Sequence, residues 1–283
     1  MPVTQYRTRL AADPTHTKTI RDNFAAEAYR RFRSVKGDIR EAVVDNDAFD
    51  LKDARLAPRN FDSESEFDAW LDAELTQEVL DSLSEARIEQ GQHWTGNYIQ
   101  AAYRRGVKDA GAHLSRLGVV DADALTNAEQ MDFARLPVHE DVIKSLWRRQ
   151  YSELEGITEA TAQQVRRELS DGLLAGDSAD QIARRLNDRV DAVGLTRART
   201  LARTETVQAH NEAALARYER NGVDTVTTLA EFTTAEDSRV CEECQELSNS
   251  GGPNNDGTWP LEDAHGIIPV HPNCRCVFVP VEE

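Results

Sequence analysis

Cysteine is absent from the first 240 residues of this 283-residue chain, so neither disulfides nor thiolate metal sites can hold that part together, and packing must. Lysine is almost as scarce: Lys18, Lys36, Lys52, Lys108 and Lys144 stand beside twenty-eight arginines. No apolar run reaches the roughly eighteen residues of a membrane-spanning helix, and the expectation is a soluble protein. A glycine-rich phosphate loop is missing, as is any recognisable set of nucleophile, base and orienting group, so nothing points to an enzyme or a small-molecule substrate.

What the chain has in excess is carboxylate. Fifty acidic against thirty-three basic residues leave a formal charge of -17. At molar salt the Debye length falls to about 3 Å and such charges scarcely repel one another, so the composition looks like a halophile's surface. The excess is uneven: residues 1–60 carry twelve basic and nine acidic groups, residues 221–283 two and twelve. Duplex DNA is bound by cations that displace counterions from phosphates, and the C-terminal segment offers only Arg239 and Arg275. That argues against a nucleic-acid reader there.

Hydrophobic period organises the rest. Phe24, Ala28, Phe32, Val35 and Ile39 predict a helix over 20–44, which carries the basic group Arg30, Arg31 and Arg33. Residues 45–62, polar and broken by Pro58, read as a linker. Ser63 and Glu66 form a capping box ahead of the stripe Phe67, Leu71, Leu75, Val79 and Leu83. A second stripe from Ile99 to Leu117, stopped by Gly118, suggests an antiparallel helix pair. Val142, Leu146 and Tyr151 then mark one helix, and Val165, Leu169 and Leu173 the next. Ser178 and Gln181 make another capping box before Ile182, Leu186 and Val190, and Gly194 is expected to break the chain ahead of a long helix over 195–220. The period drops to two at Val226, Thr228, Ala230 and Phe232, a strand with one buried face. A short helix should carry Cys241, Cys244 and Leu247, and Val277 to Val279 form a last strand. The fold class is mainly α with a small C-terminal α+β module: a helical N-terminal half, then a long helix followed by a small sheet clamped by a Cys/His metal site. Its parts are an N-terminal helix and linker (1–60), a helical hairpin region (61–135) and a C-terminal domain (136–283) that includes the Cys/His module (223–283).

All four cysteines lie in two groups, Cys241-Glu-Glu-Cys244 and His271-Pro-Asn-Cys274-Arg-Cys276. Thiolates two residues apart can bind one tetrahedral ion from a single turn, and a second pair from a distant segment completes the shell that structural Zn2+ prefers. Five donors compete for four places. The shell is either the four cysteines, with His271 outside, or three cysteines with His271. Disulfides from Cys241 or Cys244 to Cys274 or Cys276, and plain buried thiols, are the alternatives; with no signal peptide in view, a reducing cytosol favours the ion. Such an ion would staple a core too small to hold itself.

The order of the motifs is more specific than any one of them. Ala175-Gly-Asp-Ser-Ala-Asp-Gln-Ile182, Ala202-Arg-Thr-Glu205, Asn211, Tyr218, Gly222-Val223, Asp237-Ser-Arg239, the C-x-x-C and His271-Pro-Asn-Cys-Arg-Cys276 follow one another within 139–281. This succession resembles the phage Mu F-like minor head proteins, also called the phage head morphogenesis domain family. The resemblance implies a structural component of the virion, at the portal vertex or in the capsid interior, made in the host cytoplasm. It implies head assembly, with genome packaging or ejection in some members, and no catalytic step. The partners it suggests are the portal protein ring and, through the basic N-terminal helix, the major capsid protein or packaged DNA; no membrane is involved. With the acidic composition it points to a tailed virus of a halophilic archaeon. The polar motif residues Arg203, Glu205, Asn211, Asp237 and Arg239 are expected to be structural anchors. Arg203 and Glu205, two apart on a helix, cannot face each other and should bond to separate neighbours. The rival reading is an HNH-like metal-dependent nuclease built from His265, His271 and Asn273 beside the cysteines. The C-x-C spacing of the second pair and the local carboxylates count against it.

Overall fold

The computed structural model describes residues 13–49, 51, 64–119, 137–222 and 229–281. Two compact units are present, one from Asn23–Arg87 and Arg149–Leu201, the other from Met1–Asp22, Ile88–Arg148 and Ala202–Glu283. The helices that the sequence suggests as a pair, over 63–83 and 94–117, fall in different units. No described helix is long and apolar enough to cross a membrane.

The first unit is helical. In α1 (Lys18–Arg40) Phe24, Ala28, Phe32, Val35 and Ile39 are all buried, as their spacing predicts. The helix then widens into a π-type turn at Glu41–Asp45, where Ala42, Val43 and Val44 are buried in succession. α2 (Glu64–Glu74) widens in the same way at Leu75–Leu80 and ends at Asp81, whose φ of 50° is left-handed. The helical stripe therefore stops short of Leu83. The Ser63 cap and the Pro58 linker lie outside the described residues. α3 (Glu85–Ile88) is a single turn.

Two expectations are corrected farther on. Where the sequence suggests two helices, α5 (Pro137–Ala175) runs unbroken for 39 residues; α4 (Gly96–Arg116) precedes it. Its centre holds Gly156 but no proline, and a lone glycine costs only about 1 kcal/mol against alanine, which burial of Leu154, Ile157 and Val165 outweighs. Gly194 likewise does not break the chain. α6 (Ala179–Arg189) starts at the expected capping box, with the Ser178 N–H donating to Gln181 Oε1 at 2.8 Å. It passes through a π-type turn, Val190–Leu195, directly into α7 (Thr196–Gly222). A Cβ on Gly194 would lie 2.5 Å from Phe32 Cε1, so glycine is there to admit the ring.

The second unit joins α4 and most of α7 to a sheet. The two helices touch at Gly106, where a Cβ would meet the His210 carbonyl oxygen at 2.1 Å. The sheet is antiparallel, ordered β2 (Thr258–Pro260), β1 (Leu229–Thr233), β3 (Val277–Pro280), with Ala230 opposite Trp259 and Phe232 opposite Phe278. β1 buries both faces rather than one. It is the central strand: Ala230 and Phe232 face the main core, while Glu231 and Thr233 lie beside the buried Val279 and Val277. Val226 and Thr228 lie outside the described residues. Phe232, Trp259 and Phe278 pack with ring centroids 5.6–5.8 Å apart. They share one core with Ala110 and Leu114 of α4, Val207, Leu215 and Tyr218 of α7, and Cys244, Cys274 and Cys276. The module thus does not depend on a small core of its own; its apolar face is continuous with two long helices.

Candidate metal centre

The first cysteine pair is positioned by a helix start. Cys241 caps α8 (Glu242–Ser250) in extended conformation, and its Sγ accepts the Cys244 backbone N–H at 3.4 Å. Two intervening residues therefore place both sulfurs at the same helix end, where the free N–H groups favour negative charge. The second group comes from a tight turn. Cys274 N–H closes onto the His271 carbonyl at 3.1 Å, with Asn273 left-handed at φ 67°, and Cys276 follows just before β3.

These segments meet at Cys244. Its Sγ and that of Cys241 each lie 3.2 Å from His271 Nε2. The sulfurs of Cys244, Cys274 and Cys276 lie within 4.8 Å of one another. All four cysteines are free thiols, three of them buried and Cys241 half-buried. The Cys244 N–H holds the Cys241 thiol below its ordinary value. Contacts with Cys244 and then Cys276 hold Cys274 well below its ordinary value, while the same contact with Cys274 pushes Cys244 far up. Three crowded sulfurs cannot all ionise without a cation among them.

The donor set fits such a cation. His271 Nδ1 sits 2.8 Å from the Pro272 carbonyl, which only accepts, so Nδ1 carries the proton and the Nε2 lone pair faces the sulfurs. Metal-binding histidines are oriented by this second hydrogen bond. Thiolates with one imidazole are the ligands Zn2+ takes in closed tetrahedral sites. The Cys/His cluster could thus hold a metal ion such as zinc, with ligands drawn from Cys241, Cys244, His271, Cys274 and Cys276.

The segment that brings these donors together lies within residues 163–279, which match the family described as Phage Mu protein F like protein. This stretch is a phage Mu protein F-like domain. It begins inside α5 and ends in β3, a narrower span than the 139–281 suggested by the succession of motifs. No curated protein and no solved structure matches the chain.

Within the Mu F-like domain the polar motif residues do different things. Asn211, buried in α7, joins the helix to β3: its Nδ2 donates to the carbonyls of Val207 at 2.9 Å and Cys276 at 3.2 Å, and its Oδ1 accepts the Phe278 N–H at 3.0 Å. Asp237 receives Arg239 at 2.7 Å and both ends of the Arg275 guanidinium at 2.5 and 2.6 Å. These arginines, Arg275 first, hold its carboxyl well below the usual carboxylate range. Arg239 is exposed; Arg275, between two of the cysteines, is buried and ties them to the segment leading into Cys241. Glu205 is buried and Arg203 half-buried. The neighbouring Thr204 accepts the Asn273 N–H at 3.3 Å. The Tyr218 hydroxyl meets His113 Nδ1 at 2.6 Å.

His265 stands apart from the cysteines. Its Nδ1 lies 2.6 Å from Glu212 and its Nε2 3.0 Å from Glu219, while the Gly266 N–H also donates to Glu212 at 2.9 Å. Sequence reading missed this clamp, although two glutamates seven apart share one helix face. With both nitrogens on carboxylates, His265 is not free to activate water. The glutamates, Glu212 first, raise it to about 10. A histidine raised on folding stabilises fully below its unfolded pKa, roughly 6.5, and loses that contribution as pH climbs through the folded value. The stability gap between wild type and His265→Gln, read by urea unfolding, should be largest below about pH 6.5 and close towards pH 10. A gap that stays constant across this window would show that the clamp is not ionic.

Proposed function

We propose that this protein is a minor head protein of a tailed virus, acting in head morphogenesis from within the virion, and that its Cys/His cluster holds one structural zinc ion. The Mu F-like domain over residues 163–279 carries this reading. Structural zinc sites are closed by four protein ligands, whereas catalytic ones keep an open position; two donor triads joined at Cys244, with three of the sulfurs buried, favour the closed kind. The partner that fits is the portal ring, engaged through apolar packing and specific hydrogen bonds rather than bulk charge. DNA contact through α1 has less support, because Arg30 and Arg31 already engage Glu27. The surface charge suits molar salt, and the unfolding midpoint should rise from low to molar KCl; an unchanged or falling midpoint would remove the halophilic reading.

Purified virions provide the test. The chain should appear in their protein inventory and in density at one capsid vertex, and its absence from particles would overturn the assignment. The nuclease alternative is checked by incubation with plasmid and Mg2+ or Mn2+. No nicking is expected, and nicking that disappears in His271→Ala would replace the structural reading with an enzymatic one.

A further inference from the structure

Four arginines gather beside the cysteine cluster of this otherwise acidic protein. Arg275 grips both oxygens of Asp237, and Arg239, with a side chain 69% exposed, adds a third contact. Arg21 pairs with Asp13 at 3.0 Å and is only 8% exposed, yet among the described residues its Nη1 has no hydrogen-bond partner. Arg203, half-buried in α7, feels the charges of Arg21, Arg275 and Arg239, and no described residue hydrogen-bonds to its guanidinium. The Thr204 to Asn273 contact holds the cysteine-bearing turn against this part of α7. Among the described residues these four guanidiniums pair with two carboxylates, Asp13 and Asp237, and two positive charges are left over.

We propose that Arg21, Arg203 and Arg239, backed by Arg275, form a binding site for a phosphate monoester group. Guanidinium forks match the oxygens of a phosphate. Two spare charges equal those of the dianion, whereas a single carboxylate would leave one uncompensated. Burial costs Arg203 first, and repulsion from its three neighbours adds to that cost; a seated anion relieves the second. The twelve acidic and two basic residues of 221–283 repel a long polyanion and favour one phosphate reaching in by itself, either free or at the end of a nucleic-acid strand.

Calorimetric titration of the full chain at low ionic strength tests the site. Inorganic phosphate should bind wild type, with affinity falling about tenfold or more in Arg203→Gln and in the exposed variant Arg239→Gln, while both variants keep wild-type circular dichroism and metal content. A 5′-phosphorylated oligonucleotide that binds more tightly than inorganic phosphate would identify a strand end as the source; binding of inorganic phosphate alone would identify a free phosphate. The site is refuted if phosphate does not bind, if chloride at equal ionic strength gives the same heat, if both variants bind like wild type, or if the unphosphorylated oligonucleotide binds as well as its phosphorylated twin.

Discussion

Cys244→Ala should lose metal altogether, whereas His271→Ala should keep it with lower affinity. Cys244 belongs to both donor groups, one with Cys241 and His271 and the other with Cys274 and Cys276, so its loss leaves no group complete. Removing His271 still leaves four thiols joined through Cys244, whereas without Cys244 the four remaining donors fall into two pairs that no longer share an atom. Binding of structural zinc contributes about 10–16 kcal/mol to folding near neutral pH in small zinc domains, comparable to the whole stability of a typical domain, about 5–15 kcal/mol. The Cys244 variant should therefore unfold around the sheet. Because Cys244, Cys274 and Cys276 share a core with Ala110, Leu114, Leu215 and Tyr218, amide exchange should quicken in α4 and α7 as well as after residue 229. Elemental analysis and hydrogen exchange check both statements. Equimolar zinc in Cys244→Ala, or a wild type that is metal-free and intact, would sink the structural-zinc reading.

The second large effect is expected at Asn211. Asn211→Leu keeps the branching and the number of heavy atoms but strands the Phe278 N–H and the Cys276 carbonyl, both buried beneath α7. An unsatisfied buried group costs about 1–3 kcal/mol, so the loss should be about 2–6 kcal/mol by urea unfolding. Asn211→Asp retains the acceptor for Phe278 but turns a carboxylate oxygen towards the Cys276 carbonyl, and it too should destabilise. A loss below about 1 kcal/mol in the leucine variant would mean that water or a backbone shift satisfies these groups.

Helix stripes were legible because burial repeats with the helical period: every one of Phe24, Ala28, Phe32, Val35 and Ile39 is inside. The Ser178 capping box was legible because both of its bonds are local. Gly194 misled, since a glycine's local preference says nothing of what packs against it, and there that is the Phe32 ring from a distant helix. The His265 clamp and the Arg275 to Asp237 fork were hidden for the same reason: their partners lie 53, 46 and 38 residues away.

By itself, then, the sequence determined the mainly helical class, the five donor residues and the ordered motifs of a Mu F-like domain, all of which rest on spacing along the chain. Only the tertiary structure decided that Cys244 is common to both donor groups, that the His271 lone pair is turned towards sulfur by the Pro272 carbonyl, and that the cysteine module completes the core of α4 and α7. Those outcomes depend on which distant surfaces meet, and spacing along the chain does not encode that.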